Sequence, residues 1–122
     1  MIAQKYRLRE YEVSRVFKKG RPFFWTYWTM NAFEARGSHH RMAVSISRKH
    51  DKRAVQRNRY RRGLYDGLLP YLKTPAPQCF QCVFTLKKGL KIPEKKIPQA
   101  WIDDAVKVFE KWTQFAQNKI TS

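Results

Sequence analysis

Acidic residues are scarce in this 122-residue chain. Nine Asp and Glu stand against 26 Lys and Arg, for a formal net charge of +17. A metal-dependent nuclease needs several carboxylates converging on one point. Here the adjacent pair Asp103 and Asp104 sits in a helix-like stretch, about 100° apart around the axis, where acids in the first turns suit the helix dipole. Cysteine is nearly absent too. Cys79 and Cys82 form one C-x-x-C, and His39, His40 and His50 lack the spacing that would complete a zinc finger. The pair falls in an alternating segment, where positions three apart point to opposite faces of a strand. No glycine-rich phosphate loop occurs among the five glycines. No apolar run approaches 18 residues, and the N-terminus has no apolar signal-peptide core, so no membrane partner is expected and the cytoplasm is the expected location. Neither a catalytic residue nor a protein-bound metal or cofactor is assigned.

What the chain does have is cation, framed by apolar residues: 43% of it is hydrophobic. Such a chain folds, and its balance of charge points to nucleic acid. The densest stretch is 48–62, Arg-Lys-His-Asp-Lys-Arg-Ala-Val-Gln-Arg-Asn-Arg-Tyr-Arg-Arg, with eight Lys or Arg and the single acid Asp51. With almost no acids to pair at i±4, these charges repel one another unless an external polyanion neutralises them.

In order, the periodicity predicts a helix over 9–19, with Val13, Val16 and Phe17 at i, i+3, i+4, Phe17 in the core, and Gly20 as the residue just past its end. Residues 21–25 suit a short edge strand that tolerates Pro22, and 27–35 a strand. A loop is expected over 36–40. Residues 41–48 alternate, with Met42, Val44 and Ile46 on one face and the small Ala43, Ser45 and Ser47 on the other, a face a ligand backbone can approach closely. A helix follows from about 54 to 69. Arg53, Arg57 and Arg61 share a stripe that Leu64 and Leu68 continue, so the first turns present cations where later turns present core. Gly63 and Gly67 permit close packing of another backbone, and Pro70 with the Thr74–Pro77 segment ends the helix. A strand over 80–86, the basic turn Lys87-Lys88-Gly89 and a basic loop over 91–96 precede the last helix, which opens near Pro98. Trp101, Ala105, Val108, Phe109, Trp112, Phe115 and Ala116 form its core stripe. The whole is one α+β domain, a sandwich with helices covering one face of a sheet and a βαβ crossover through 41–86. These features favour RNA or DNA binding over chemistry in the protein itself. They also suit a structural, ribosome-associated RNA-binding protein. A protein-only nuclease would have to use Asp103 or Asp104.

The stretch Ala54-Val55-Gln56-Arg57-Asn58-Arg59-Tyr60-Arg61-Arg62 resembles the motif of the bacterial ribonuclease P protein family: an Arg-Asn-Arg core, then two basic residues after one spacer, after a strand that ends in a basic pair, here Arg48-Lys49. Val16-Phe17-Lys18-Lys19-Gly20 resembles the family's opening helix, and the resemblance spans about 5–117 within a single domain, with 118–122 a tail. It implies an αβββαβα sandwich with a mainly antiparallel sheet and an unusual left-handed βαβ crossover, similar to a domain of a small-subunit ribosomal protein. It also implies that the chain assists a catalytic RNA, which carries the Mg²⁺, in removing the 5′ leader of precursor tRNA. Its partners would be that RNA and the precursor tRNA, with no DNA. The RNA subunit would meet Arg48, Lys49, Lys52, Arg53, Arg57, Asn58, Arg59, Arg61 and Arg62. A cleft between the first helix and the sheet would hold the leader through Phe17, Val13, Asn31 and Tyr27, with Val13 and Asn31 standing where some members carry stacking aromatics. The loop 49–53 lacks the glycine that many members have there.

Overall fold

The fold is taken from a computed structural model. It describes residues 6–35, 40–73, 79–93 and 95–121, and the side chains at 35, 79 and 115–121 lie outside it. The elements are α1 (Glu10–Lys19), β1 (Arg21–Phe24), β2 (Trp28–Ala35), β3 (Arg41–Ser45), α2 (Ala54–Leu72), β4 (Cys79–Leu86) and α3 (Gln99–Thr121). The expected loops at 36–39 and 74–78, the tail's last residue, Glu94, and the core positions Phe115 and Ala116 fall outside the described residues or side chains.

The strands form one sheet in the order β1-β2-β4-β3. β1, β2 and β4 run antiparallel, and β3 joins β4 in parallel through α2, as a βαβ unit requires. Alternation sorts the sheet into two faces. Trp28, Met30, Ala32, Met42, Val44, Phe80, Cys82, Phe84 and Leu86 face the main core, where Tyr60, Leu64, Leu68 and Leu72 of α2 meet Trp101, Ala105, Val108, Phe109 and Trp112 of α3. The Trp28 indole N–H donates to the Trp101 carbonyl at 2.9 Å, so a fully buried ring keeps its polar atom satisfied.

The first helix does not share that face. α1 crosses the opposite one, where Glu12 contacts Arg41 and Gln81, and the Arg15 guanidinium donates to Gln81 and lies 5.2 Å from the Phe33 ring centre. Three helices on one face was therefore the wrong arrangement. A lone amphipathic stripe cannot reveal which face of a sheet it covers. Val16 is buried beneath α1, whereas Phe17 points out and is 46% exposed. The Arg9 N–H donates to Glu12 at 2.9 Å, satisfying one orphan amide at the start of α1. Burial pushes the Glu12 carboxyl up. That hydrogen bond, with the Arg41 and Arg15 charges, outweighs the effect and holds it below its ordinary value.

Further boundaries differ from the sequence reading. β3 stops at Ser45, because Ser47 to His50 forms a turn closed by the His50 N–H on the Ser47 carbonyl. α2 runs through Pro70 to Leu72. Proline withdraws one N–H from the ladder, but residues 66 and 70 are exposed, where water can serve the freed carbonyl, while burial of Leu68 and Leu72 holds the last turn in place. Gly63 and Gly67 face side chains, not a backbone: a Cβ would stand 2.6 Å from Ile97 Cγ2 and 2.5 Å from Ile102 Cγ2. Gly20 keeps an ordinary negative φ, and its role is clearance, since a Cβ there would come within 2.5 Å of the Val16 carbonyl oxygen.

Candidate nucleic-acid interface

The basic junction is fixed by its one acid. The Asp51 carboxylate accepts the Arg53 guanidinium at 3.1 and 2.9 Å and the Arg53 N–H at 2.8 Å. These bonds, with the nearby Arg57 charge, pull its carboxyl down to about 2. The acid thereby organises the residue that precedes α2, the end of a helix where negative charge is favourable. Arg57 folds back and donates through Nη1 to the carbonyls of Asp51 and Lys52 at 2.9 and 3.0 Å. Arg61 reaches the Ile46 carbonyl at 3.1 Å and Asn58 Oδ1 at 2.7 Å. Burial, then the Arg57 charge, lowers the Arg61 pKa, although a guanidinium stays charged. Both arginines are half-buried struts. Arg48, Lys49, Lys52, Arg53, Asn58, Arg59 and Arg62 are exposed. The nine residues named for RNA docking thus lie on one junction but divide into scaffold and surface.

A second basic segment joins them. Because β3 and β4 are parallel, their C-terminal ends lie side by side, which sets Lys87, Lys88 and Lys91 next to the 48–53 loop. Lys91 Nζ donates to the Lys49 carbonyl at 2.5 Å, the His50 ring donates through Nδ1 to the Leu90 carbonyl at 2.6 Å, and the Ile92 N–H reaches the His50 carbonyl at 3.3 Å. His50 is buried in this clamp. Gly89, at φ 86°, gives the turn a conformation other residues rarely adopt. Farther on, the Tyr60 hydroxyl donates to the Lys96 carbonyl at 3.3 Å, holding the loop along α2. The lysines were visible as basic loops in the sequence, but their place beside the junction depends on strand order.

Opposite the core, the sheet presents three rows. Phe33, Gln81 and Arg41 lie under α1. Pro22, Asn31, Val83 and Ala43 follow, with Val83 fully buried. The last row, Phe24, Thr29, Thr85 and Ser45, is half-buried or exposed and ends at the basic loops. Arg15 of α1 engages the first row, and at 100° per residue Val13 and Phe17 lie about 160° around the helix from it. They therefore border the open rows, together with Asn31. Tyr27 does not. It lies in the turn between β1 and β2, stacked 5.4 Å from Trp101 on the α3 side, and its N–H donates to Asp104 at 3.0 Å. Trp28 is buried in the core.

The remaining reactive groups have structural tasks. Asp104 is buried and accepts the N–H groups of Thr26 and Tyr27, which holds the β1–β2 turn to α3. Asp103 is exposed and accepts from Gln99 at 3.0 Å. Cys82 is a fully buried thiol whose pKa burial raises. No group of three or more His, Cys, Asp or Glu side chains is arranged to hold a metal among the described residues, and no described helix is long and apolar enough to cross a membrane.

Comparison with known proteins identifies the family and the fold. The protein-family model described as Ribonuclease P matches residues 2–111. No curated protein matches the chain. Among solved structures, the RNase P protein from Thermotoga maritima superimposes with a TM-score of 0.72 at 18% identity, covering 86% of this chain and 96% of its own. The Staphylococcus aureus RNase P protein gives 0.68 at 18% identity, covering 86% and 93%. At this identity the likeness to each is one of fold.

Proposed function

The chain belongs to the ribonuclease P protein family and is a protein subunit of that tRNA-processing endoribonuclease; on this premise we propose how its two surfaces divide the work. The exposed cations of the 48–62 junction and the adjoining Lys87–Lys91 loop dock the RNA subunit. The open sheet face beside Val13, Phe17 and Asn31 receives the single-stranded 5′ leader of precursor tRNA. Bond cleavage belongs to the RNA subunit with its Mg²⁺, and the protein supplies binding and orientation, in the cytoplasm and without a DNA substrate.

The observation that supports this reading best is the junction itself. Its only acid is committed to Arg53, and Arg57 and Arg61 are committed to backbone carbonyls, which fixes the neighbouring exposed cations in place. The exposed guanidinium groups of Arg48, Arg59 and Arg62 on this scaffold suit bidentate phosphate contacts, and the affinity they give should fall steeply with salt. A groove lined by exposed rings and bordered by cations is what single-stranded RNA requires. The test is cleavage of precursor tRNA by the cognate RNA subunit at low Mg²⁺, with and without this protein. Stimulation is expected. Its absence, with co-purification of ribosomal RNA instead, would overturn the reading in favour of a structural, ribosome-associated protein.

A further inference from the structure

β1 carries two adjacent phenylalanines, and the sheet assigns them opposite tasks. Phe23 faces the helices and packs edge-on against Trp112 at 5.2 Å. Phe24 pairs with Thr29, faces the other side, and is 68% exposed. A single exposed apolar residue needs no explanation. This one has three companions. It heads the open row that continues through Thr29, Thr85 and Ser45, side chains that are small and can hydrogen-bond. Phe17, the other exposed phenylalanine among the described residues, stands on the flank of α1 that borders the same face, and α1 leads through Gly20 directly into β1. Cations flank the pair: Lys18 and Lys19 end α1, and Lys87 and Lys88 leave β4 at the end of the sheet where the row lies. An exposed ring amid cations is unfavourable against a basic protein surface, and matches a strand of phosphates carrying flat bases.

We propose that Phe24 is a base-stacking residue for the single-stranded leader. In this chain it supplies, from β1, the aromatic contact that Val13 and Asn31 cannot make. This rests on the leader-binding reading above. The leader would then lie across the sheet from the α1 flank toward β1, with a base on Phe24 and its phosphates toward Lys87 and Lys88. Stacking on an aromatic face tolerates any base, so Phe24 contributes to how tightly a leader is held and little to its sequence.

The test uses the reconstituted holoenzyme with two precursor tRNAs: one with a leader of several nucleotides carrying 2-aminopurine, and one with the leader cut to a single nucleotide. Phe24→Ala should weaken binding of the long-leader substrate by at least about fivefold, the lower end of what one stacked base contributes. It should reduce the quenching of 2-aminopurine at one leader position. Affinity for the short-leader substrate and for the RNA subunit should not change, and Phe24→Trp should restore both binding and quenching. Unchanged long-leader binding in Phe24→Ala, or an equal loss on both substrates, would overturn the proposal. If the wild-type holoenzyme itself does not distinguish the two substrates, the leader-binding reading fails, which is a separate result.

Discussion

Replacing Arg62 and Arg57 by alanine, one at a time, should separate docking from scaffolding within the same motif. Arg62 is exposed and makes no hydrogen bond or ion pair among the described residues. Its loss should change stability by no more than about 0.5 kcal/mol. If it meets one phosphate, the slope of log affinity against log salt should shrink by about 0.7–0.9. Arg57 bonds to two carbonyls that shape the loop before α2. Hydrogen bonds from a charged group contribute about 1.5–3 kcal/mol when sheltered. Arg57 is only half-buried and the Lys52 carbonyl faces water, so a loss of about 1 kcal/mol is the fair expectation. In a domain of this size that lowers the melting temperature by about 4 °C. RNA affinity should also fall, because the loop carrying Lys49, Lys52 and Arg53 is loosened, and Arg57→Lys should recover little of it, since an ammonium lacks the planar fork. The assays are urea unfolding of the free protein and RNA-subunit binding across a salt series. The reasoning is refuted if Arg62→Ala is the destabilised variant, or if the two variants lose affinity alike with neither stability nor salt slope altered.

Other perturbations test the frame. Gly67→Ala should destabilise despite gaining about 1 kcal/mol of helix propensity, because its Cβ would meet Ile102 Cγ2 at 2.5 Å and overpacking costs about 1–3 kcal/mol; trimming Ile102 to alanine in the same chain should show favourable coupling in a double-mutant cycle. In a Cys79→Ala background, Cys82 should resist alkylation at pH 8 until the protein unfolds, since burial raises its pKa and closes off reagent; rapid labelling of the native chain would contradict the packing. Asp51 has its carboxyl depressed from 3.8 to about 2, so its stabilising contribution is present above pH 4 and fades as pH falls through about 2; the stability gap between the wild type and Asp51→Asn should close over that interval and stay constant above it. Salt should act with opposite signs on the free protein and on the complex, stabilising the former by screening cation repulsion and weakening the latter, as thermal unfolding and binding at 50 and about 500 mM NaCl would read out.

Much of the fold was legible because periodicity survives in the strings that carry it. Met42, Val44 and Ile46 alternate, and Trp101, Ala105, Val108 and Trp112 recur at helical spacing, so element types and most of the core could be placed before any coordinate. The stripe of Arg57 and Arg61 continuing into Leu64 and Leu68 was equally visible, and the two arginines are indeed half-buried where the leucines are fully so. Lost from view were the relations between elements. Pro70 reads as a stop because local backbone chemistry says so, and only the burial of Leu72 by tertiary contacts explains why the helix continues. The glycines of α2 read as gaps for a backbone, and identifying Ile97 and Ile102 as what fills them required knowing where α3 and its leading loop lie.

The aromatic cleft shows the same limit at the level of function. In the run Phe23-Phe24-Trp25-Thr26-Tyr27-Trp28 every ring is a candidate for stacking a base, and composition cannot choose among them. Register can. The pairing of Arg21 with Ala32 and of Phe24 with Thr29 assigns Phe23 and Trp28 to the core and Phe24 to the open face, and leaves Tyr27 in a turn against Trp101. A slip of one residue would exchange the faces of Phe23 and Phe24. That register is fixed from both ends. Gly20 lets the chain pass from α1 into β1 against the Ala32 carbonyl, and Asp104 receives the two amides of the turn at the far end. A carboxylate on the last helix, far in sequence from any RNA-binding motif, therefore acts with Gly20 in setting which ring the open face presents.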